Sequence, residues 1–288
     1  MEVVRTALNP WGQEVIVGIA WDLVWLAVLA SAAFVVVHGV WAARRSGARS
    51  ARAGGAEEGG AAEKGGGAEK GAAAEGAHAG SEIPVPPRVL RHGPAARAFH
   101  WVMAVAMIAL LVTGFVPGLG WEFAWVEWHW QAGLLLTAAV LFHVVHALGW
   151  QGLGEILPGR GGKYPADRKV FHHLASLAAL GVIATGLLMM VRIDTPLWAR
   201  NPYLLSDAAW GWVYLVHGLS GVALIGLITG HIYFALRPEN RWITWAMVRG
   251  WITGKDYALH FDPDRWPPVP AAPEGVGRGA VGEGAGPE

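Results

Sequence analysis

Histidines stand inside or at the ends of long apolar runs in this chain, His100, His129, His143, His146, His217 and His231 among them. An ionisable, metal-binding side chain is costly in hydrocarbon, so each marks a functional position by default. His217 and His231 are 14 residues apart, which on a helix leaves them about 40° out of phase and about 21 Å apart along the axis. One helix thus offers an imidazole to each of two stacked sites. By depth in their runs, His129 is level with His217 and His100 is level with His231. Four neutral imidazoles in two opposed pairs, without cysteine or a nearby carboxylate, suit the iron of low-spin haem b; zinc takes a compact four-ligand cage. His143 also follows His129 by 14 residues, so spacing alone equally allows His143 to face His231 in place of His100.

Small and basic residues flank these positions. Gly133 and Gly221 each lie four residues after a histidine, His129 and His217, on the ligand's own helix face. A missing side chain there lets a flat macrocycle lie against the helix, although glycine also serves close helix packing in membranes. Arg97, one turn before His100, and Arg237, just past the last apolar run, are placed to pair with haem propionates through charge-assisted hydrogen bonds. Their position also satisfies the preference of basic residues for the cytoplasmic side.

The elements that must carry these side chains are membrane helices. Of 288 residues, 53% are hydrophobic and only 15% charged, where a globular domain carries about 25% charge. Runs long enough to span a bilayer, about 20 residues, cover approximately Val15 to Trp41, Ala98 to Pro117, Trp128 to Trp150, Val170 to Val191 and Trp210 to Leu236. The expected fold class is an all-α integral membrane protein with five spans. Residues 1–45 form an N-terminal transmembrane helix and residues 46–87 a flexible linker of Gly, Ala and Glu with nothing to bury. Residues 88–266 form the main transmembrane domain, and residues 267–288 a disordered tail.

Composition excludes several functions. The absence of Cys removes disulfides, thiolate zinc sites, protein-ligated iron–sulfur clusters and cysteine nucleophiles. Lys and Arg number 22 and Asp and Glu 22, a balance that argues against a nucleic-acid partner. All basic residues except Arg5, Arg192 and Arg200 fall on one side of the spans, which orients the N-terminus outward and the C-terminus to the cytoplasm of a bacterial inner membrane. Trp121, Trp125, Trp128, Trp130, Trp210 and Trp212 gather at the outer level, as an interfacial belt does.

The segments Arg97-Ala-Phe-His100-Trp101, Thr113-Gly114, His129 to Gly133, Val216-His217-Gly218 with Gly221, and His231-Ile232-Tyr233, then Met247 to Gly254, His260 and Pro263 to Trp266, together resemble the cytochrome b (gamma) subunit of membrane-bound formate dehydrogenase. The resemblance covers about two-thirds of the chain, from Arg88 to Trp266, and extends to related b-type subunits of nickel–iron hydrogenase and thiosulfate reductase. It implies a four-helix dihaem cytochrome b bundle to which this chain adds one N-terminal helix. It further implies His129 and His217 as ligands of an outer haem b, and His100 and His231 as ligands of an inner one, in preference to His143. Electrons then pass between a periplasmic iron–sulfur subunit, itself served by a molybdenum or tungsten catalytic subunit or by nickel–iron hydrogenase subunits, and membrane quinone near the cytoplasmic face. The chain is thereby an electron-transfer subunit that oxidises no substrate itself, with quinone as its exchangeable partner.

One segment departs from that pattern. The inner loop of the family resembles Tyr-Asn-Ala-Gly-Gln-Lys, with its Asn at the quinone, whereas this chain reads Tyr164-Pro165-Ala166-Asp167-Arg168-Lys169. Tyr164, Asp167, His172 and His173 are the groups left nearby to handle protons. The alternative function is a stand-alone transmembrane oxidoreductase of the cytochrome b561 or ferric-reductase kind.

Overall fold

A computed structural model describes residues 2–59, 84–151, 164 and 166–271. Its five long apolar helices are α1 (Trp21–Gly59), α2 (Pro94–Phe115), α3 (Trp125–His146), α4 (Ala166–Met190) and α5 (Asp207–Leu236). These five helices, each long and apolar enough to cross a bilayer, make the chain a multi-pass, all-α membrane protein. Local sequence sets their ends. Pro94 opens α2, where a missing N–H costs nothing. Ser206 caps α5, its hydroxyl accepting from the Ala209 amide at 3.3 Å.

The first apolar run does not begin as a helix. Residues Val4–Leu8 (β1) and Glu14–Ile19 (β2) pair antiparallel, and α1 starts only at Trp21. Val15, Ile16, Val17 and Ile19 are β-branched and favour strand. Asn9 closes the turn by accepting from the amides of Trp11 and Gln13, and Gly12 supplies φ +79°. The hairpin docks on the start of α5, with the Asn9 amide donating to Asp207 at 2.9 Å. Ile16 and Ile19 lie over Gly211 and Gly218, where an added Cβ would come within 2.9 and 2.8 Å of them. The N-terminal segment is therefore a hairpin followed by a helix.

Helices α2 and α3 pack along each other, α4 packs along α5, and α1 lies against the outer side of α5. Between the two pairs, Ala106, Met107, Leu136, Ala178 and Leu224 form a central apolar layer. Below it, β3 (Arg88–Leu90) pairs with β4 (Trp251–Thr253), flanked by α6 (Arg241–Arg249) and α7 (Gly254–His260). Val89, Ala246, Ile252 and Tyr257 form its core. Arg91 is buried there, 4.9 Å from the face of Phe261 and 5.5 Å from that of Trp266, and desolvation pulls its pKa down to about 10.

Boundaries shift accordingly. The helix reaches Gly59 inside the expected linker, while most of that linker, residues 60–83, lies outside the described residues. The ordered chain does not stop at Trp266: Val269 accepts from the Leu90 amide and Ala271 donates to Arg88, so residues 267–271 run beside β3. The unpaired edge of β3 drives this extension. The rest of the tail, 272–288, and the inner loop 152–163 with Pro165 lie outside the described residues.

Candidate functional site

The bundle brings the two expected histidine pairs together. His129 near the start of α3 and His217 on α5 have ring centroids 6.1 Å apart, with ring planes at 67°. His100 near the start of α2 and His231 on α5 are 6.2 Å apart, with planes at 56°. A metal–imidazole bond is about 2 Å and a ring nitrogen lies roughly 1.1 Å from its centroid, so one ion between two imidazoles holds their centroids about 6 Å apart. Both pairs have that separation. Among the described residues no three His, Cys, Asp or Glu side chains gather as a metal cage; each site brings together two imidazoles. The central apolar layer separates the two pairs.

Threonines orient the first pair. The Thr113 hydroxyl donates to the Ala109 carbonyl at 2.6 Å and lies 2.8 Å from Nδ1 of His129. The Thr185 hydroxyl donates to the Gly181 carbonyl at 2.5 Å and lies 2.9 Å from Nδ1 of His217. A hydroxyl has one proton, and each is already given to a backbone carbonyl one turn back. Each threonine oxygen therefore accepts from Nδ1–H, and Nε2 of both imidazoles keeps its lone pair for a metal. The neighbouring glycines let α2 and α4 come this close: a Cβ on Gly114 would stand 3.4 Å from Cε1 of His129, and one on Gly186 would stand 3.4 Å from Cε1 of His217.

Aromatic contacts position the second pair. Phe171 stacks on His231 at 5.6 Å and 16°, and Trp101 meets His100 edge-on at 5.3 Å. The indole of Trp101 donates to the Met247 carbonyl, and Arg97 donates to the Val248 carbonyl at 2.7 Å. Both bonds fasten the start of α2 to α6. Gly250 stands at φ +92°, and a Cβ added there would come within 3.3 Å of the Arg97 Nε.

The other expected residues fall as follows. His143 does not meet His231; it stacks on Phe99 at 4.3 Å and faces His172 at 6.1 Å. Gly221 faces Phe115, whose Cζ would lie 3.4 Å from an added Cβ, and Gly133 faces Leu110 at 3.9 Å. Arg237 donates to the Tyr233 hydroxyl at 2.9 Å and to Glu239 at 2.5 Å. Trp121, Trp125, Trp128 and Trp212 are exposed, but Trp210 is buried beneath Arg192, its indole donating to Pro202.

The roles of three residues escaped the sequence reading. Thr113 and Thr185 belong to a Thr-Gly dipeptide that recurs inside three apolar runs, at Thr113-Gly114, Thr185-Gly186 and Thr229-Gly230, a signal that gains meaning only once the first two face a histidine. His38 lies inside the first apolar run, which by itself flags it; on α1 it meets the Tyr233 hydroxyl of α5 at 2.8 Å.

Residues 91–250 match a family model described as prokaryotic cytochrome b561. No curated protein matches the chain. With more than half of its length matched, the chain belongs to the prokaryotic cytochrome b561 family, whose members are membrane cytochromes binding b-type haem.

Proposed function

We propose that this chain is the dihaem electron-transfer subunit of a respiratory oxidoreductase of the formate dehydrogenase type, carrying electrons between a periplasmic iron–sulfur partner and membrane quinone. His129 and His217 hold one haem b, and His100 and His231 hold the second. The observation that carries this reading is the pair of imidazole separations, 6.1 and 6.2 Å, joined for His129 and His217 to hydrogen bonds that leave Nε2 unprotonated. Bound there, haem would supply a one-electron iron couple. The chain's own residues hold the rings, fix imidazole orientation through Thr113 and Thr185, and exclude water with the apolar layer around Leu136 and Leu224.

Arg44, Arg45, Arg88, Arg91, Arg97, Arg168, Lys169, Arg237, Arg241 and Arg249 belong to the α1 C-terminal, α2 N-terminal, α4 N-terminal and α5 C-terminal ends, which supports a cytoplasmic face there. The His129 and His217 pair then faces the outer partner, and the His100 and His231 pair faces the quinone side. The partner's substrate class is that of a molybdenum or tungsten formate dehydrogenase or of a nickel–iron hydrogenase. The family description favours a second reading, a stand-alone cytochrome b561-type oxidoreductase; copurification of iron–sulfur and molybdenum or nickel subunits distinguishes the two.

The test is optical. Dithionite-reduced minus oxidised spectra and a pyridine haemochrome assay on the purified chain are expected to give two b-type haems per chain. His129→Ala or His217→Ala removes one, and His231→Ala removes the other. A wild-type chain without a reducible b-type signal overturns the reading.

A further inference from the structure

Helix α6, Arg241–Arg249, has two unlike faces. At about 100° per residue, Ile243 and Ala246 fall on one side, and Ala246 is buried in the core of the β3–β4 module. Arg241, Trp245, Val248 and Arg249 fall within an arc of about 100° on the other side, and all four are exposed. A tryptophan and a valine left bare between two arginines are the marks of a helix lying in a membrane surface. There the apolar side chains enter the acyl layer and the cations stay among the headgroups.

Hydrogen bonds fix the depth of α6. The Thr244 hydroxyl donates to the Ala235 carbonyl in the last turn of α5 at 2.7 Å. Arg97 and Trp101, in the first two turns of α2, donate to the Val248 and Met247 carbonyls. The helix therefore lies across the inner ends of two spans, where hydrocarbon gives way to headgroups. Trp101 is 49% exposed, beside 47% for Trp245 and 46% for Val248, so the apolar strip continues from α6 onto α2. The charges on this face are uncommitted: neither Arg241 nor Arg249 makes a side-chain hydrogen bond or ion pair among the described residues. Glu239, Asp256 and Asp262 are held elsewhere, by Arg237, Thr253 and Arg265. Arg249 lies over the rings of Trp245 and Trp251 at 5.0 and 5.6 Å, and Arg88 lies over Trp251 at 4.4 Å. A guanidinium lying over a ring keeps its N–H groups for a bidentate acceptor such as phosphate.

We propose that the exposed face of α6 binds anionic phospholipid. Arg249 takes one headgroup phosphate and Arg241, about 12 Å along the helix, takes a neighbouring one, while Trp245, Val248 and Trp101 lie against the acyl chains. A zwitterionic lipid would cover the apolar strip but bring no net charge to the arginines. A soluble acidic partner would meet the arginines but not an apolar strip that continues onto a membrane span. The proposal does not rest on haem or on a partner enzyme.

Native mass spectrometry tests it. The full chain, released from micelles holding equal phosphatidylglycerol and phosphatidylcholine, is expected to retain phosphatidylglycerol in preference. Arg241→Gln or Arg249→Gln lowers that retention about fivefold, the weight of one basic residue at an anionic surface, and the double variant lowers it about 25-fold. Phosphatidylcholine retention stays as in wild type. Lysine at both positions keeps the charge and retains more phosphatidylglycerol than glutamine does, so the loss reads charge and not misfolding. Arg44→Gln, an exposed residue of α1 at the same membrane face, leaves retention unchanged. Equal retention of the two lipids by wild type, or undiminished phosphatidylglycerol in the double glutamine variant, overturns the proposal. A loss in Arg44→Gln as large as in Arg249→Gln also overturns it, since the effect then belongs to the basic surface as a whole. Lipid is counted by mass with or without haem, so a chain lacking any haem signal can still uphold this site while the dihaem reading fails.

Discussion

Thr113 and His129 face each other across the α2–α3 contact at 2.8 Å, and the direction of that bond follows from a bond behind it. Because the threonine proton is given to Ala109 at 2.6 Å, the imidazole must donate, and its other nitrogen is left to bind metal. Thr185 and His217 repeat the relation between α4 and α5. Two helices that carry neither histidine of the first pair thus set which nitrogen of each imidazole holds the proton.

Replacing Thr113 or Thr185 with Val keeps the shape and removes the acceptor. Haem affinity at the proposed outer site is expected to fall about 10- to 100-fold, measured by titrating the haem-depleted chain with haemin. Thr→Ser at either position restores most of it, whereas a purely space-filling role would leave Val equal to wild type.

His143 and His100 separate the two inner-ligand assignments. His100 lies 6.2 Å from His231, while His143 is stacked on Phe99 and faces His172. His100→Ala is expected to lower the haem count from two per chain to one, and His143→Ala to leave two, by pyridine haemochrome assay. Loss of a haem in His143→Ala alone would reverse the assignment.

Gly250 ends α6 in the left-handed region, φ +92°, with its carbonyl accepting from the amides of both Arg91 and His92. An added Cβ would also stand 3.0 Å from the His92 carbonyl oxygen. Gly250→Ala is expected to destabilise the β3–β4 module by about 1–2 kcal/mol from backbone strain alone, read as a lower thermal midpoint, with Gly250→Asn intermediate.

The Arg237–Glu239 pair responds to acid. The backbone amide of Glu239 itself, and then Arg237, hold the Glu239 carboxyl below its usual pKa of 4.5. A carboxyl with a depressed folded-state pKa contributes stability that is complete above its unfolded value and lost as pH falls through the folded one. The hold on Arg237 is therefore expected to persist down to pH 4.5 and to fail below it. A carboxylate titration of Glu239 by carbon NMR checks this, with a midpoint under 4.5 expected and one at or above 4.5 refuting it.

Hydropathy made the four spans from α2 to α5 legible to within a few residues, because lipid demands a long apolar run and a helix is the one local structure that satisfies its backbone there. The same measure misread residues 14–19, since β-branched side chains are as apolar in a strand as in a helix. It also placed Trp210 at the interface, although Arg192 and the Pro202 carbonyl bury it. His217 and His231 stood out through their 14-residue spacing, and His129 and His100 through their depth, which are properties of single helices.

What the sequence determined by itself was which side chains lie at which depth, because rise and rotation per residue are intrinsic to the helix. Spacing and depth alone could not separate His100 from His143, since both reach the level of His231, although the family resemblance favoured His100. Only the tertiary structure decided that His100 meets His231, that Thr113 and Thr185 orient His129 and His217, and that His38 reaches Tyr233. The physical reason is that these contacts depend on the rotation and closeness of one helix against another, set by Gly114 and Gly186 beside the histidines and by Gly39 near the Tyr233 hydroxyl, and no spacing within one helix records them.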